Sequence, residues 1–303
     1  MMTDTPLILD GGLATELERR GHDISGKLWS ALILRTDPQA IEQVHYDYFA
    51  AGANCAISSS YQASYEGFAA QGIGRDETTA LLRRSVELAM SARERYRRDH
   101  PEPARALYVA ASVGPFGAIA HDGSEYRGDY GVSVQELIDF HEARFAVLAS
   151  SGADFLACET IPLLDEARAL ASLLSRYPQA RAWMSFTSAD GLRTSHGETL
   201  EECARFIEKI PGVIAVGVNC VRPEIVETSI RALRAGTTKS IVVYPNSGEH
   251  WDATTRTWHG TWNHGSLAAL APQWLQAGAT MIGGCCRTGP HDIAALSAAL
   301  LKT

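Results

Sequence analysis

Thr280-Met281-Ile282-Gly283-Gly284-Cys285 is the last of eight short runs rich in β-branched and apolar residues, and the spacing of these runs decides the fold. Working back from it, the others are Ser240 to Pro245, Ile214 to Cys220, Ala182 to Thr187, Asp154 to Glu159, Leu107 to Val113, Asn54 to Ser59 and Leu7 to Asp10. Longer stretches of helical periodicity separate them. Strands that alternate with helices pair in parallel through right-handed crossovers, and eight such units close into a ring. The expectation is a (β/α)8 barrel of the TIM type, one domain over residues 1–303.

The intervening helices carry start and stop signals. Asp37 stands as N-cap before Pro38, the apolar residues Ile41, Val44, Tyr48 and Phe49 mark one face, and Gly52 follows the end. A second helix is expected from Val134 through Leu148, stopping before Gly152, and a third after Pro272, stopping before Gly278. In each case Gly-Ala leads into the next strand. Two long irregular stretches remain, Gly114 to Gly131 and Asn246 to Gly265, and long loops in compact domains are often functional lids.

The composition excludes several classes. With 46% hydrophobic and 20% charged residues the chain reads as globular, and no run approaches the ~18 apolar residues of a membrane span. The first residues, Met1-Met2-Thr3-Asp4-Thr5-Pro6, have neither the basic segment nor the apolar core of a secretory signal, so the expected location is the cytoplasm, without a membrane partner. Net charge is -8, and the one basic cluster, Arg93 to Arg98, is broken by Glu94; no nucleic-acid partner is expected. Gly11-Gly12-Leu13-Ala14 lacks the third glycine of a dinucleotide fingerprint.

Barrel enzymes place their chemistry at the C-terminal ends of the strands. Asp10, Glu159, Cys220, Cys285 and Cys286 all fall at such ends. Three thiolates resemble a metal site, and three protein ligands leave a coordination position open, where a closed structural zinc site needs four. Side chains alternate along a strand, so adjacent cysteines face one metal only where the strand bends; Gly283 and Gly284 are expected to supply that freedom. On the residues alone, packing of the cysteines as small hydrophobes and a vicinal Cys285–Cys286 disulfide stay open, as do turn or helix-cap roles for Asp10 and Glu159. Cys55, Cys158 and Cys203 show no grouping and are expected to pack. His250, His259 and His264 lie among Trp251, Trp258 and Trp262 in no zinc-ligand spacing, and are read as loop packing.

Taken together, Asp10-Gly11-Gly12, Glu159-Thr160, Gly217-Val218-Asn219-Cys220 and Gly283-Gly284-Cys285-Cys286 resemble the homocysteine S-methyltransferase family, over nearly the whole chain. Leu28-Trp29-Ser30-Ala31, Ser60-Tyr61-Gln62-Ala63, Gly123-Ser124-Glu125-Tyr126-Arg127-Gly128 and Tyr244-Pro245-Asn246-Ser247-Gly248-Glu249 resemble its S-methylmethionine-dependent branch. The resemblance implies Zn2+ on Cys220, Cys285 and Cys286, with Asp10 and Glu159 binding homocysteine. Thr160 stands where the related betaine-dependent enzymes have tyrosine, which disfavours that donor.

The implied activity is methionine formation by methyl transfer from a sulfonium donor, S-methylmethionine, to homocysteine. Homocysteine sulfur would be the fourth zinc ligand, and backbone N–H groups of Gly11 and Gly12 would receive its carboxylate. Tyr126, Tyr130, Trp251 and Trp258 are candidates to face the donor cation. The alternatives are S-adenosylmethionine or another sulfonium as donor, and a non-catalytic zinc or thiol redox sensor. A zinc hydrolase would recruit histidines and a general base, which the sulfur-only set does not offer.

Overall fold

In the computed structural model, residues 6–24, 30–101, 105–119, 122–252, 257–259 and 266–301 are described. Eight parallel strands form one sheet: β1 (Leu7–Ile8), β2 (Cys55–Ile57), β3 (Tyr108–Val113), β4 (Phe155–Ile161), β5 (Ala182–Phe186), β6 (Val213–Asn219), β7 (Ser240–Tyr244) and β10 (Met281–Ile282). Their order is β1-β10-β7-β6-β5-β4-β3-β2, and a parallel bridge between Leu9 and Cys55 joins the two outer strands. The (β/α)8 expectation holds.

Two short antiparallel strands, β8 (His250–Asp252) and β9 (Thr257–His259), add a hairpin within the 246–265 loop. His264 and Trp262 lie outside the described residues, as do the side chains of His250, Trp251, Trp258 and His259. The candidate cation contacts of Trp251 and Trp258 are therefore not located.

The helices form where their caps predict. In α3 (Pro38–Ala50) the Asp37 carboxylate accepts the Ala40 N–H at 3.2 Å, and Ile41, Val44, Tyr48 and Phe49 are buried. In α6 (Val134–Ala149) Ser133 and Glu136 form a reciprocal capping box. The third expected helix is longer than its proline suggested. It runs from Leu267 to Ala277 as α10 with Pro272 inside it, because Ser266 takes the N-cap position and Ala271 and Trp274 bury its apolar face. The basic cluster lies on α5 (Arg75–Asp99), where Arg93 pairs with Glu94 and Asp154, and Arg97 with Glu94. Among the described residues no helix is long and apolar enough to cross a membrane.

Alternation along the strands divides the core. Leu9, Cys55, Ala110, Ala157, Trp183, Ala215, Val242, Tyr244 and Met281 fill a cluster of their own, apart from the larger apolar layer beneath the helices. Two residues further along β3, β4 and β5, and four further along β6, the same face carries Ser112, Glu159, Ser185 and Asn219, all buried. The strands are thus apolar below and polar at their C-terminal ends, where the site lies. Cys55, Cys158 and Cys203 are buried in packing positions, as expected.

Candidate active site

The loops beyond β1, β2, β3, β6 and β10 line a cavity of about 1060 Å3 that includes Asp10, Gly11, Gly12, Glu159, Cys220, Cys285 and Cys286. The expected residues therefore converge on one space. Their backbone settings differ from the sequence expectation in three ways.

The first concerns the cysteines. Strand β10 ends at Ile282, so Cys285 and Cys286 belong to the loop that follows, free of strand alternation. Gly283 and Gly284 do not adopt left-handed backbone; the residue that does is Arg287, φ 64°. The glycines serve close approach instead. A Cβ on Gly283 would stand 2.5 Å from the Leu9 Cβ, and the Gly284 N–H donates to the Asp10 carbonyl at 2.9 Å. The end of β7 and the loop after it tie both cysteine segments. Cys220 N–H donates to the Tyr244 carbonyl (3.2 Å), Cys285 N–H to that of Pro245 (2.8 Å) and Cys286 N–H to Asn246 Oδ1 (3.2 Å).

The three sulfurs lie within 4.8 Å of one another. Cys220 and Cys285 are joined as a disulfide, their Cα atoms 5.6 Å apart, and Cys286 is free with its sulfur 4.0 Å from that of Cys220. The joined pair is thus not the vicinal one. Burial, with Glu159 nearby, pushes the Cys286 thiol up to about 12. Deprotonation there calls for a cation. With the Cys220–Cys285 pair reduced, the donor set fits zinc, whose tetrahedral sulfur ligands at ~2.3 Å stand roughly 3.8 Å from each other.

The second difference concerns Glu159, which does not end its strand. Strand β4 continues to Ile161, and its register against β5 shifts between Cys158 and Ile161, a bulge that re-aims the intervening side chains. Thr160 there has φ 61°. Asn219 holds it from both sides, accepting the Thr160 N–H at 2.7 Å and donating to Thr160 Oγ1 at 2.8 Å. Asn219 Oδ1 also accepts from Ser185 Oγ at 2.7 Å, and Ser185 meets the Tyr244 hydroxyl at 2.7 Å. Ser112 Oγ donates to Glu159 Oε1. Burial raises the Glu159 carboxyl to about 7 against the hydrogen bonds from Ser112 and Tyr244.

Asp10 is 1% exposed. Its Oδ2 accepts the Ile57 N–H at 2.8 Å, while Oδ1 has no hydrogen-bond partner among the described residues. Burial, with Glu159 adding to it, holds this carboxyl well above the usual range.

The third difference concerns Gly11 and Gly12. The Gly12 N–H is already donated to the Thr288 carbonyl at 2.9 Å. A Cβ would meet Thr288 O at 2.5 Å from Gly11 and Cys285 O at 2.5 Å from Gly12. These glycines let the β1 loop lie against the cysteine loop.

Among the described residues, the non-glycine positions with positive φ are Thr160, Cys220 and Arg287, all lining the cavity. Such conformations cost about 1–3 kcal/mol each and cluster at functional sites. Tyr126 lines the cavity, but Tyr130 packs against Phe116 with ring centroids 5.2 Å apart. Asn219, Ser112, Tyr244 and Glu125 were given no role from sequence, although all but Ser112 stand in motifs that carry the resemblance. Strand alternation from the apolar interior positions is the signal for the first three.

Residues 7–300 match the family model for homocysteine S-methyltransferase. The chain is 50% identical over 293 residues to the homocysteine S-methyltransferase of Escherichia coli, covering 96% of this chain and 94% of the relative. The crystal structure of the E. coli homocysteine methyltransferase MmuM in its metallated form superposes with a TM-score of 0.89 at 47% identity, covering 98% of this chain and 96% of the other. Its oxidized form gives 0.88 at 48% identity, covering 97% and 95%. The match spans the whole barrel together with the loops that carry the three cysteines, and the chain therefore belongs to the homocysteine S-methyltransferase family, enzymes that methylate the thiol of homocysteine.

Proposed function

We propose that the cavity moves a methyl group from S-methylmethionine to homocysteine, with zinc held by Cys220, Cys285 and Cys286. One observation carries this reading. Three sulfurs from two loops meet in the same cavity as two buried carboxylates, one of which keeps an oxygen without a partner. When bound, zinc supplies an open position at which a thiol loses its proton at neutral pH.

The chain's own groups orient the acceptor. Asp10 Oδ1 and the Glu159 carboxylate offer two anionic oxygens to the homocysteine ammonium, and a cation between them relieves the repulsion that burial amplifies. Ser112 and Tyr244 hold Glu159 in place. A bond then forms between homocysteine sulfur and the donor methyl carbon as the carbon–sulfonium bond breaks. Its electron pair returns to the donor sulfur, so two methionines leave and the thiol proton passes to solvent. Opposite charges vanish in this step, which a water-poor cavity favours.

The test is to incubate reduced, zinc-loaded protein with homocysteine and either S-methylmethionine or S-adenosylmethionine, measuring methionine. Faster turnover with S-methylmethionine supports the reading. Methionine formed only from S-adenosylmethionine, or from neither donor, overturns it.

A further inference from the structure

A further buried carboxylate in the cavity has no place in the chemistry described so far. Glu125 sits in a 3-10 turn, Ser124–Tyr126, within the loop that leaves the C-terminal end of β3. It lines the same cavity as the cysteines and is only 6% exposed. Its Oε2 is buried with no hydrogen-bond partner, and the carboxylate makes no ion pair among the described residues. The nearby cation, Arg127, is turned outward to Asp122 and Asp129.

The turn that presents Glu125 is tightly built. Ser124 N–H donates to Asp122 Oδ1 at 2.9 Å, Gly128 N–H to the Ser124 carbonyl at 2.9 Å, and Arg127 Nη1 to the Asp122 carbonyl at 2.9 Å. A Cβ on Gly117 would stand 2.6 Å from the Glu125 backbone nitrogen, so the loop is pressed against itself here. Among the described residues this scaffold leaves a buried acid without an ion-pair partner. Burying a carboxylate without a partner is unfavourable, and a cation delivered by a ligand removes that penalty.

The other cavity carboxylates are exposed or already engaged. Glu18 and Asp23 are exposed, Asp292 accepts the Gly289 N–H at 2.9 Å, and Glu16 is held by Arg19 and Arg20, while Asp10 and Glu159 stand together near the β1 and β4 ends, where Glu159 raises the Asp10 carboxyl. Glu125 comes from a different loop, beside Tyr126. The reaction as proposed brings two amino acids into one cavity, and Asp10 with Glu159 accounts for the ammonium of only one.

Resting on that reading, we infer that Glu125 is the specificity residue for the methyl donor: its carboxylate pairs with the α-ammonium group of an amino-acid sulfonium. Tyr126, next to it in sequence, lines the same cavity and is available to the sulfonium end.

Glu125→Gln keeps the shape and removes the charge. In zinc-loaded protein its KM for S-methylmethionine should rise on the order of 10- to 100-fold, with the homocysteine KM, zinc content and melting temperature near wild type. Wild-type enzyme should prefer S-methylmethionine over 4-(dimethylsulfonio)butanoate, the same donor without its amino group, by at least ~10-fold in kcat/KM, and Glu125→Gln should erase that preference. This second comparison begins with wild type, so it decides even if the variant folds poorly. An unchanged donor KM, a loss shared equally by homocysteine, or equal wild-type kinetics with the two donors would overturn the assignment. Wild-type protein that makes no methionine from S-methylmethionine sinks the donor reading itself, whereas an active wild type with an indifferent Glu125→Gln sinks only this inference.

Discussion

The sulfurs of Cys220 and Cys286 stand 4.0 Å apart although 66 residues separate them in sequence. They meet because β6 and β10 flank β7, and the end of β7 with the segment after it accepts hydrogen bonds from both cysteine loops. Replacing any one of Cys220, Cys285 or Cys286 by Ala leaves two sulfurs. Bound zinc, read by elemental analysis of the reduced protein, should fall at least ~100-fold in affinity, and methyl transfer should drop to background. A variant with full activity and no metal would remove the zinc mechanism.

Glu159→Gln keeps the shape of the side chain and removes its charge. The homocysteine KM should rise about 30-fold or more, equivalent to about 2 kcal/mol, with zinc retained. Kinetics identical to wild type would mean that Glu159 acts only in the framework.

The same carboxyl gives a pH signature. Burial raises Glu159 from its ordinary 4.5 to about 7, so the folded state holds a proton that the unfolded chain has released across that interval. Its contribution to stability is therefore absent below pH 4.5 and becomes increasingly unfavourable as pH rises to about 7. In metal-free protein above pH 7, Glu159→Gln should be the more stable form by on the order of 1–3 kcal/mol, and the gap should close toward pH 4.5 in denaturant titrations. A gap that widens in acid would contradict the buried-carboxyl picture.

Asn219→Ala removes both hydrogen bonds to Thr160 and the one from Ser185. The left-handed Thr160 then loses what holds it, and Glu159 beside it loses its aim. Expected are a stability loss of about 1–3 kcal/mol and a fall in kcat/KM of roughly 10- to 100-fold, with zinc bound as before. Thermal melting and steady-state kinetics on one preparation separate the two effects.

Gly12→Ala tests the packing of the β1 loop. The new methyl would collide with the Cys285 carbonyl, so the cysteine loop must shift. Zinc affinity should fall about 10- to 100-fold although no ligand is changed, measured by competition with a chelator. Unaltered affinity would show that the loops move independently.

The barrel was legible because each of its parallel strands is an apolar run bounded by helical signals, and periodicity survives without knowledge of contacts. The convergence of Asp10, Glu159 and the three cysteines on one cavity was legible from their places toward the C-terminal ends of the strands, although Glu159 lies two residues short of the end of β4. Their local geometry was not. The bulge at Thr160 arises from Asn219, 59 residues away in sequence, and no local pattern in β4 reports such a partner. Likewise Gly283 and Gly284 were read as flexible joints, whereas their constraint is the nearness of Leu9 and Thr288. Pro272 was taken as a helix start because a proline inside a helix is ordinarily disfavoured; burial of Trp274 and Ala271 outweighs that local preference.

Strand β10 is only two residues wide and is wedged between β1 and β7, yet its loop delivers two of the three sulfurs. A chain in which this wedge had not seated would present one cysteine at the mouth, so zinc held by the three as proposed would double as an inspection of assembly, with only a finished ring able to be charged.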